Sequence, residues 1–198
     1  MTHPNRAFTW ADEAEMRAFV AARAFAHIFV VRDGAPFAAH APVVPSEGGL
    51  RFHLARSSRV RAIVDGTPAI ASIAGVDAYV SPDWYGTPDQ VPTWNYIAVE
   101  VEGTLRRLDE GELVQQLDAL SALHEARLAP KPAWTRDKMA PGRFDAMLPG
   151  LTGYELVAEE WRGTRKLGQH KRADERAGAA AGVAAAGHPL IAQAMAAS

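Results

Sequence analysis

Apolar and polar positions along this chain follow two different periods, and the switches between them mark out its elements. From Thr9 to Phe25, "TWADEAEMRAFVAARAF" puts Met16, Phe19, Val20 and Arg23 on one face at helical spacing, with Thr9 as N-cap and Asp12 near the capping-box position. The period then shortens. "AHIFVV", "FAAHAPVV" and "LRFHLA" predict three strands, joined by the turn-forming stretches "RDGAP" and "PSEGG". "SSRVRAIVDG" predicts a short helix capped by Ser57 or Ser58 and ending near Gly66. Two strands follow in "AIASIAG" and "DAYVS", then a long one in "TWNYIAVEVEGTLRRLD", where Ile97, Val99 and Val101 alternate with Ala98, Glu100 and Glu102. Asp109 opens another helix with Glu112 as its capping-box partner and Leu113, Leu117 and Leu120 along one face. A short helix in "GRFDAMLPG" stops at Pro149 and Gly150, and "TGYELVAEEW" is a last strand. The tail "RADERAGAAAGVAAAG" has helix formers but little apolar bulk, so it is helical only where it docks.

Short connections make neighbouring strands antiparallel, since a parallel return needs a dozen or more residues. The expected fold class is therefore mainly β with peripheral helices (α+β), its antiparallel sheet closing or nearly closing into a barrel. The division expected is a barrel domain over residues 1–172 and a helical tail over 173–198.

Composition narrows the function more than the fold. The 198 residues are 48% hydrophobic and 22% charged, an ordinary globular balance. A formal net charge of -2 supplies no broad basic field for nucleic acid. Cysteine is absent, which removes disulfides, thiolate metal sites and cysteine nucleophiles, and fits a cytoplasmic location. No apolar run is long enough for a membrane span, and no h-region follows the start, so no membrane association is expected.

Three stretches carry candidate chemistry. In "HLARSSRVR", a strand feeds a helix start bearing Arg56, Ser57, Ser58 and Arg59, a combination of N–H groups, hydroxyls and guanidinium groups suited to an anion, phosphate above all. The plainer alternative is a solvated helix start. In "SPDWYGTPDQVPTWNY", Pro82, Pro88 and Pro92 stiffen a connection that carries Trp84, Tyr85, Trp94 and Tyr96, while Thr93 and Asn95 share the strand face opposite Trp94. Rings beside amide and hydroxyl groups suit a planar ligand with a polar edge, or equally an aromatic core or a subunit interface. In "WRGTRKLGQHKR", the basic residues could meet an anion or form a solvated face. His27, His40 and His53 show no metal-ligand spacing, "HE" at His124 lacks a second histidine, and no nucleophile elbow or dinucleotide fingerprint occurs. Neither a catalytic nor a metal residue is assigned.

Taken in order, "HLARSS", "AYVSPDWY", "VPTWNY", "LHEA…W" and "RKLGQHKR" resemble the PaiB-type family of FMN-binding negative transcriptional regulators, over roughly Phe8 to Arg176. The resemblance implies the FMN-binding split barrel of pyridoxamine phosphate oxidase-like proteins, and a homodimer with flavin at the subunit interface. It also implies a cofactor set of His53, Arg56, Ser57, Ser58 and Arg59 toward phosphate or ribityl, with Thr93, Asn95, Trp84 and Trp94 around the ring, and Lys166 and Gln169 from the family's "KLSQN". Gly168 and His170 depart from that motif, Glu100 stands where the family commonly has His, and the Tyr85–Val91 loop is short.

The implied function is an FMN-binding regulator acting through flavin redox chemistry or sensing; if it is an enzyme, it is a flavin-dependent oxidoreductase. Two alternatives stay open. One is a direct DNA-binding repressor, against which the charge balance and the lack of a helix-turn-helix argue. The other is a barrel that has lost flavin and binds haem or a protein partner.

Overall fold

A computed structural model describes residues 3–58 and 63–198. Seven strands form one sheet: β1 (Thr9–Trp10), β2 (Phe25–Arg32), β3 (Ala35–Pro45), β4 (Gly49–Ala55), β5 (Thr67–Val80), β6 (Thr93–Arg107) and β7 (Leu151–Lys166). Their order is β1-β7-β4-β3-β2-β5-β6, with a further pairing of β6 to β7. The pairings β1–β7, β2–β3, β2–β5, β3–β4 and β4–β7 are antiparallel, as the short connections require. The helices are α1 (Glu13–Arg23), α2 (Glu110–Glu125), α3 (Arg143–Met147), α4 (Ala173–Ala185) and α5 (Pro189–Ala196).

Three expectations shift. Thr9 does not cap α1, because Thr9 and Trp10 pair with Thr164 and Gly163 of β7; Asp12 caps it instead, its Oδ1 accepting from Glu15 N at 3.0 Å. The two strands expected on either side of Gly75 are one, β5, since an extended glycine need not end a strand. The helix expected over "SSRVRAIVDG" falls largely outside the described residues, and its described ends are turns at Arg56–Ser57 and Asp65–Gly66.

The chain divides into two compact units. The larger comprises Arg17–Ile73 and Glu100–Trp161. Its core alternates along the strands, with Ile28, Val43, Leu50, Phe52, Leu105 and Leu156 fully buried. Phe52 stacks on its β7 register partner Tyr154 at 5.6 Å between ring centroids. β7 can pair on both sides because a glycine faces it from each. A Cβ on Gly49 of β4 would lie 2.1 Å from the Leu156 carbonyl oxygen, and one on Gly103 of β6 would lie 1.9 Å from that of Val157.

α2 is fixed at its start by charge. Asp109 accepts from Glu112 N at 2.8 Å, and Glu112 Oε2 accepts from Asp109 N at 3.0 Å, completing the expected capping box. Arg106 donates to both oxygens of Glu112, each at 2.8 Å, and also to Glu155 of β7. Ser46 Oγ donates to Glu155 at 2.6 Å, and Arg51 Nε lies 3.4 Å from the same oxygen. The Arg106 bond, then the Asp109 N–H, hold the Glu112 carboxyl down at about 2.

The smaller unit comprises Met1–Met16, Ala74–Val99 and Arg162–Ser198. Here the alanine-rich tail is helical because it has something to dock on. Ala179, Ala180 and Val183 of α4, with Ile191, Ala192 and Met195 of α5, pack on Ala78, Val80, Tyr85 and Leu167. α4 approaches closely enough that a Cβ on Gly182 would meet the Trp84 ring at 2.3 Å.

Gly103→Ala is expected to cost about 3 kcal/mol or more, because the new methyl meets backbone that cannot move aside; urea denaturation checks this, and an unchanged midpoint would contradict the close approach. Glu112→Gln tests the charge at α2. A carboxylate depressed on folding contributes stability above pH 4.5 that disappears as pH falls toward 2. The variant should lose about 1 kcal/mol at neutral pH, discounted for the partly exposed Arg106, and show a shallower acid-unfolding limb below pH 4.5.

Candidate functional site

In the smaller unit, two strand ends bring together the most unusual polar group of the protein. β6 begins at Thr93, directly after Pro92, and its pleat sends Thr93 and Asn95 to one face and Trp94 to the other. β7 ends at Lys166, and the chain reverses through Gly168, whose φ of +83° favours glycine over the serine of the family motif. Gln169 locks that reversal: its Oε1 accepts from Leu167 N at 2.9 Å and its Nε2 donates to Arg165 O at 2.5 Å.

The Lys166 ammonium donates to Thr93 Oγ1 at 2.8 Å and lies 5.9 Å from the centroid of the Phe8 ring. No carboxylate pairs with it among the described residues, and burial pushes its pKa down. Asn95, 1% exposed, has an Nδ2 with no hydrogen-bond partner among those residues, and Gly168 leaves a gap in front of it, since a Cβ there would stop 3.8 Å away. His170 packs edge-on against Phe8 at 5.1 Å, its pKa lowered by burial and then by the charges of Lys171 and Lys166. The cluster therefore holds a cation and an amide donor that the protein itself leaves incompletely satisfied. Such groups are costly unless something pairs with them.

The other rings of the opening stretch do different work. Trp84 packs against α4, its carbonyl oxygen toward Gly178 and its ring against Gly182, and Tyr85 is buried beneath Lys171. Trp94 is 52% exposed, with its Nε1 donating to Asp77 at 2.9 Å.

In the larger unit, Arg56, Ser57 and Ser58 form the turn after β4, and Arg59 lies outside the described residues. The free N–H groups expected there are partly spent: Arg56 N donates to Gly150 O and Ser58 N to Ala55 O, both at 2.8 Å. The Arg56 side chain instead lines a cavity of about 220 Å³ with Arg107, Asp109, Leu113, Thr152 and others. No carboxylate pairs with the Arg56 guanidinium among the described residues. His53, on β4, sits 3.2 Å from Gln116 Oε1 of α2 through its Nδ1; burial lowers its pKa, a shift the Gln116 bond opposes. Gln116 is 2% exposed and its Nε2 lacks a partner among the described residues.

His53, Arg56, Ser57 and Ser58 are thus residues of the larger unit, and Trp84, Thr93, Trp94, Asn95, Lys166 and Gln169 of the smaller. Phe8 and Gln116 were missed, being an ordinary aromatic and an ordinary helix glutamine in the sequence. His170 and Gly168 stood out only as departures from a motif.

The family model "Putative FMN-binding domain" matches residues 2–160. Among curated proteins, "Protease synthase and sporulation protein PAI 2" of Bacillus subtilis (strain 168) is 25% identical over 169 residues, 83% of this chain and 80% of its own. Two solved structures are similar. The FAD and heme binding protein from Mycobacterium smegmatis has a TM-score of 0.59 at 20% identity, covering 80% of this chain and 73% of its own. The flavocytochrome Anf3 from Azotobacter vinelandii has a TM-score of 0.57 at 16% identity, covering 83% and 72%. At such identities the structures speak for the fold alone, an antiparallel split barrel. The family match covers β4, the Arg56 turn and the Thr93–Asn95 strand, while Lys166 and Gln169 lie past its end; on that span, most of its length, the chain belongs to the FMN-binding domain family.

Proposed function

We propose that this chain binds FMN through its unsatisfied donors and works as a homodimeric, PaiB-type regulator whose output depends on the flavin. The family's cofactor is FMN. The observation that carries the proposal is the Lys166 ammonium, half-buried beside Thr93 and bare of any described carboxylate, with the orphan amide of Asn95 on the same strand face as Thr93. A flavin mononucleotide is a fitting occupant, since it offers a phosphate, ring carbonyls and ring nitrogens. When bound, FMN supplies one- or two-electron redox chemistry.

The chain's own residues divide the remaining work. Lys166 places positive charge where an anion or an electron-rich ring edge gains most, in a partly desolvated setting. Thr93 orients the ammonium, Asn95 donates an amide hydrogen bond, and Gln169 holds the turn that presents Lys166. Arg56, Ser57 and Ser58 are the second candidate anion grip, carried by the guanidinium and hydroxyls.

For the regulatory role, the support is the family resemblance together with the Bacillus subtilis relative, whose name connects it with protease synthesis and sporulation. Indirect regulation is favoured over DNA contact by what the basic stretch Trp161–Arg172 does. Arg165 pairs with Glu15 at 2.8 Å over the Trp10 ring, Lys166 is held by Thr93, Lys171 donates to Gln90 at 2.6 Å, and Arg172 pairs with Asp174 at 2.9 Å. Arg165 and Arg172 are thus neutralised by carboxylates, which reduces what the stretch offers a phosphate backbone.

Protein purified from flavin-rich cells should be yellow, and stripped protein should quench FMN fluorescence at one FMN per chain; colourless protein with no quenching defeats the reading, and a haem spectrum would favour the alternative. Lys166→Met should weaken FMN roughly 10- to 100-fold, the loss of one charge-assisted hydrogen bond. Arg56→Ala should weaken FMN by a similar factor but leave riboflavin unchanged if Arg56 grips the phosphate, whereas equal losses for both ligands would move that grip elsewhere. Gel shifts of promoter DNA with micromolar protein at low salt should show no retardation.

A further inference from the structure

The register of β2 against β3 pairs His27 directly with His40, thirteen residues apart in sequence and side by side on one sheet face. Their Nδ1 atoms are 2.7 Å apart, and the rings meet nearly at right angles, 84° between planes with centroids at 4.8 Å. Two ring nitrogens at that distance must share one proton, donor to acceptor. The pair is open to solvent, and no carboxylate or backbone carbonyl accounts for either Nδ1 among the described residues. Ser72 of β5 lies opposite His27 on its other side, so a hydroxyl belongs to the same row across the sheet.

We propose that His27 and His40 form a bidentate imidazole site for a divalent transition-metal ion of the Cu²⁺ or Ni²⁺ kind, separate from the flavin cluster. Neutral imidazole nitrogens are strong ligands for such ions, and Cu²⁺ and Ni²⁺ accept tetragonal or square-planar nitrogen and oxygen ligands. With metal–nitrogen bonds of about 2.0–2.1 Å, ligands at right angles lie about 2.9 Å apart and tetrahedral ligands about 3.3 Å. The observed 2.7 Å is a hydrogen-bond distance, from which a small ring rotation reaches either separation, so the preference for Cu²⁺ and Ni²⁺ rests on the affinity of these ions for imidazole. On binding, the ring that donates shifts to its other tautomer, its Nδ1 proton moving through solvent to its own Nε2, so that both neutral rings turn an Nδ1 lone pair to the ion. Water and the Ser72 hydroxyl complete the coordination. The strands are already paired over eight positions, so the two ligands are preorganised and the metal need not order the chain.

The test is calorimetric titration of chelator-stripped, tag-free protein with NiCl₂ and CuCl₂, beside His27→Gln, His40→Gln and the double variant. Expected is one site per chain in the wild type, with Kd raised about 100-fold by either single substitution, the advantage that two linked ligands hold over one. The double variant should lose the residual one-ligand binding that each single variant keeps. Circular dichroism and FMN quenching should be unchanged in all three, which separates loss of this site from misfolding and from failure of the flavin proposal. Wild-type stoichiometry and affinity retained in either single variant, or no uptake of either ion by the wild type, would overturn the assignment.

Discussion

The larger unit depends on how closely β7 is allowed to approach its two neighbours. Gly49 and Gly103 leave no side chain where the peptide of Leu156–Val157 passes, and the β4–β7 and β6–β7 pairings follow from that absence. Any larger residue at either position would meet a carbonyl oxygen instead of empty space. Everything that β7 carries within the larger unit inherits its placement from those contacts. Glu155, one residue earlier, turns into the unit to meet Arg106 and Ser46, and through Arg106 it shares a cation with the α2 capping box. Backbone closeness, charge pairing and helix capping are therefore one connected arrangement.

The protein treats its partly buried charges in two opposite ways. Around α2, Glu112, Glu155, Arg51 and Arg106 satisfy one another, so carboxylates remain ionised at little net cost. At the far end of β7, Lys166 has only a hydroxyl, and Asn95 keeps an unused N–H. An unpaired buried donor costs about 1–3 kcal/mol. A cost of that kind is tolerable when a ligand removes it, which is why the second cluster and not the first points to binding. The same contrast recurs in the basic stretch after Trp161, where Arg165 and Arg172 pair with carboxylates and Lys166 does not.

Much of the fold was legible residue by residue. The alternation in "TWNYIAVEVEGTLRRLD" placed β6, Asp109 with Glu112 marked the α2 start, and Thr93 with Asn95 fell opposite Trp94 as the pleat requires. Other features were out of reach. Thr9 reads as a helix cap until β7 offers it a strand partner, and Gly75 reads as a break until β5 is seen to run through it. That α4 packs on Trp84 through Gly178 and Gly182 could not be read from the sequence either.

Local rules thus settled which residues form strands, helices and caps, because pleat, helical period and capping act over a few neighbouring positions. The antiparallel class followed from connection length, and the FMN-type motifs could be read along the chain. Which side chains share a site did not follow. Lys166 and Thr93 are 73 residues apart, His53 and Gln116 63, and His27 and His40 meet only through a strand register. Such pairings are set by long-range packing and sheet register, which no local sequence pattern encodes.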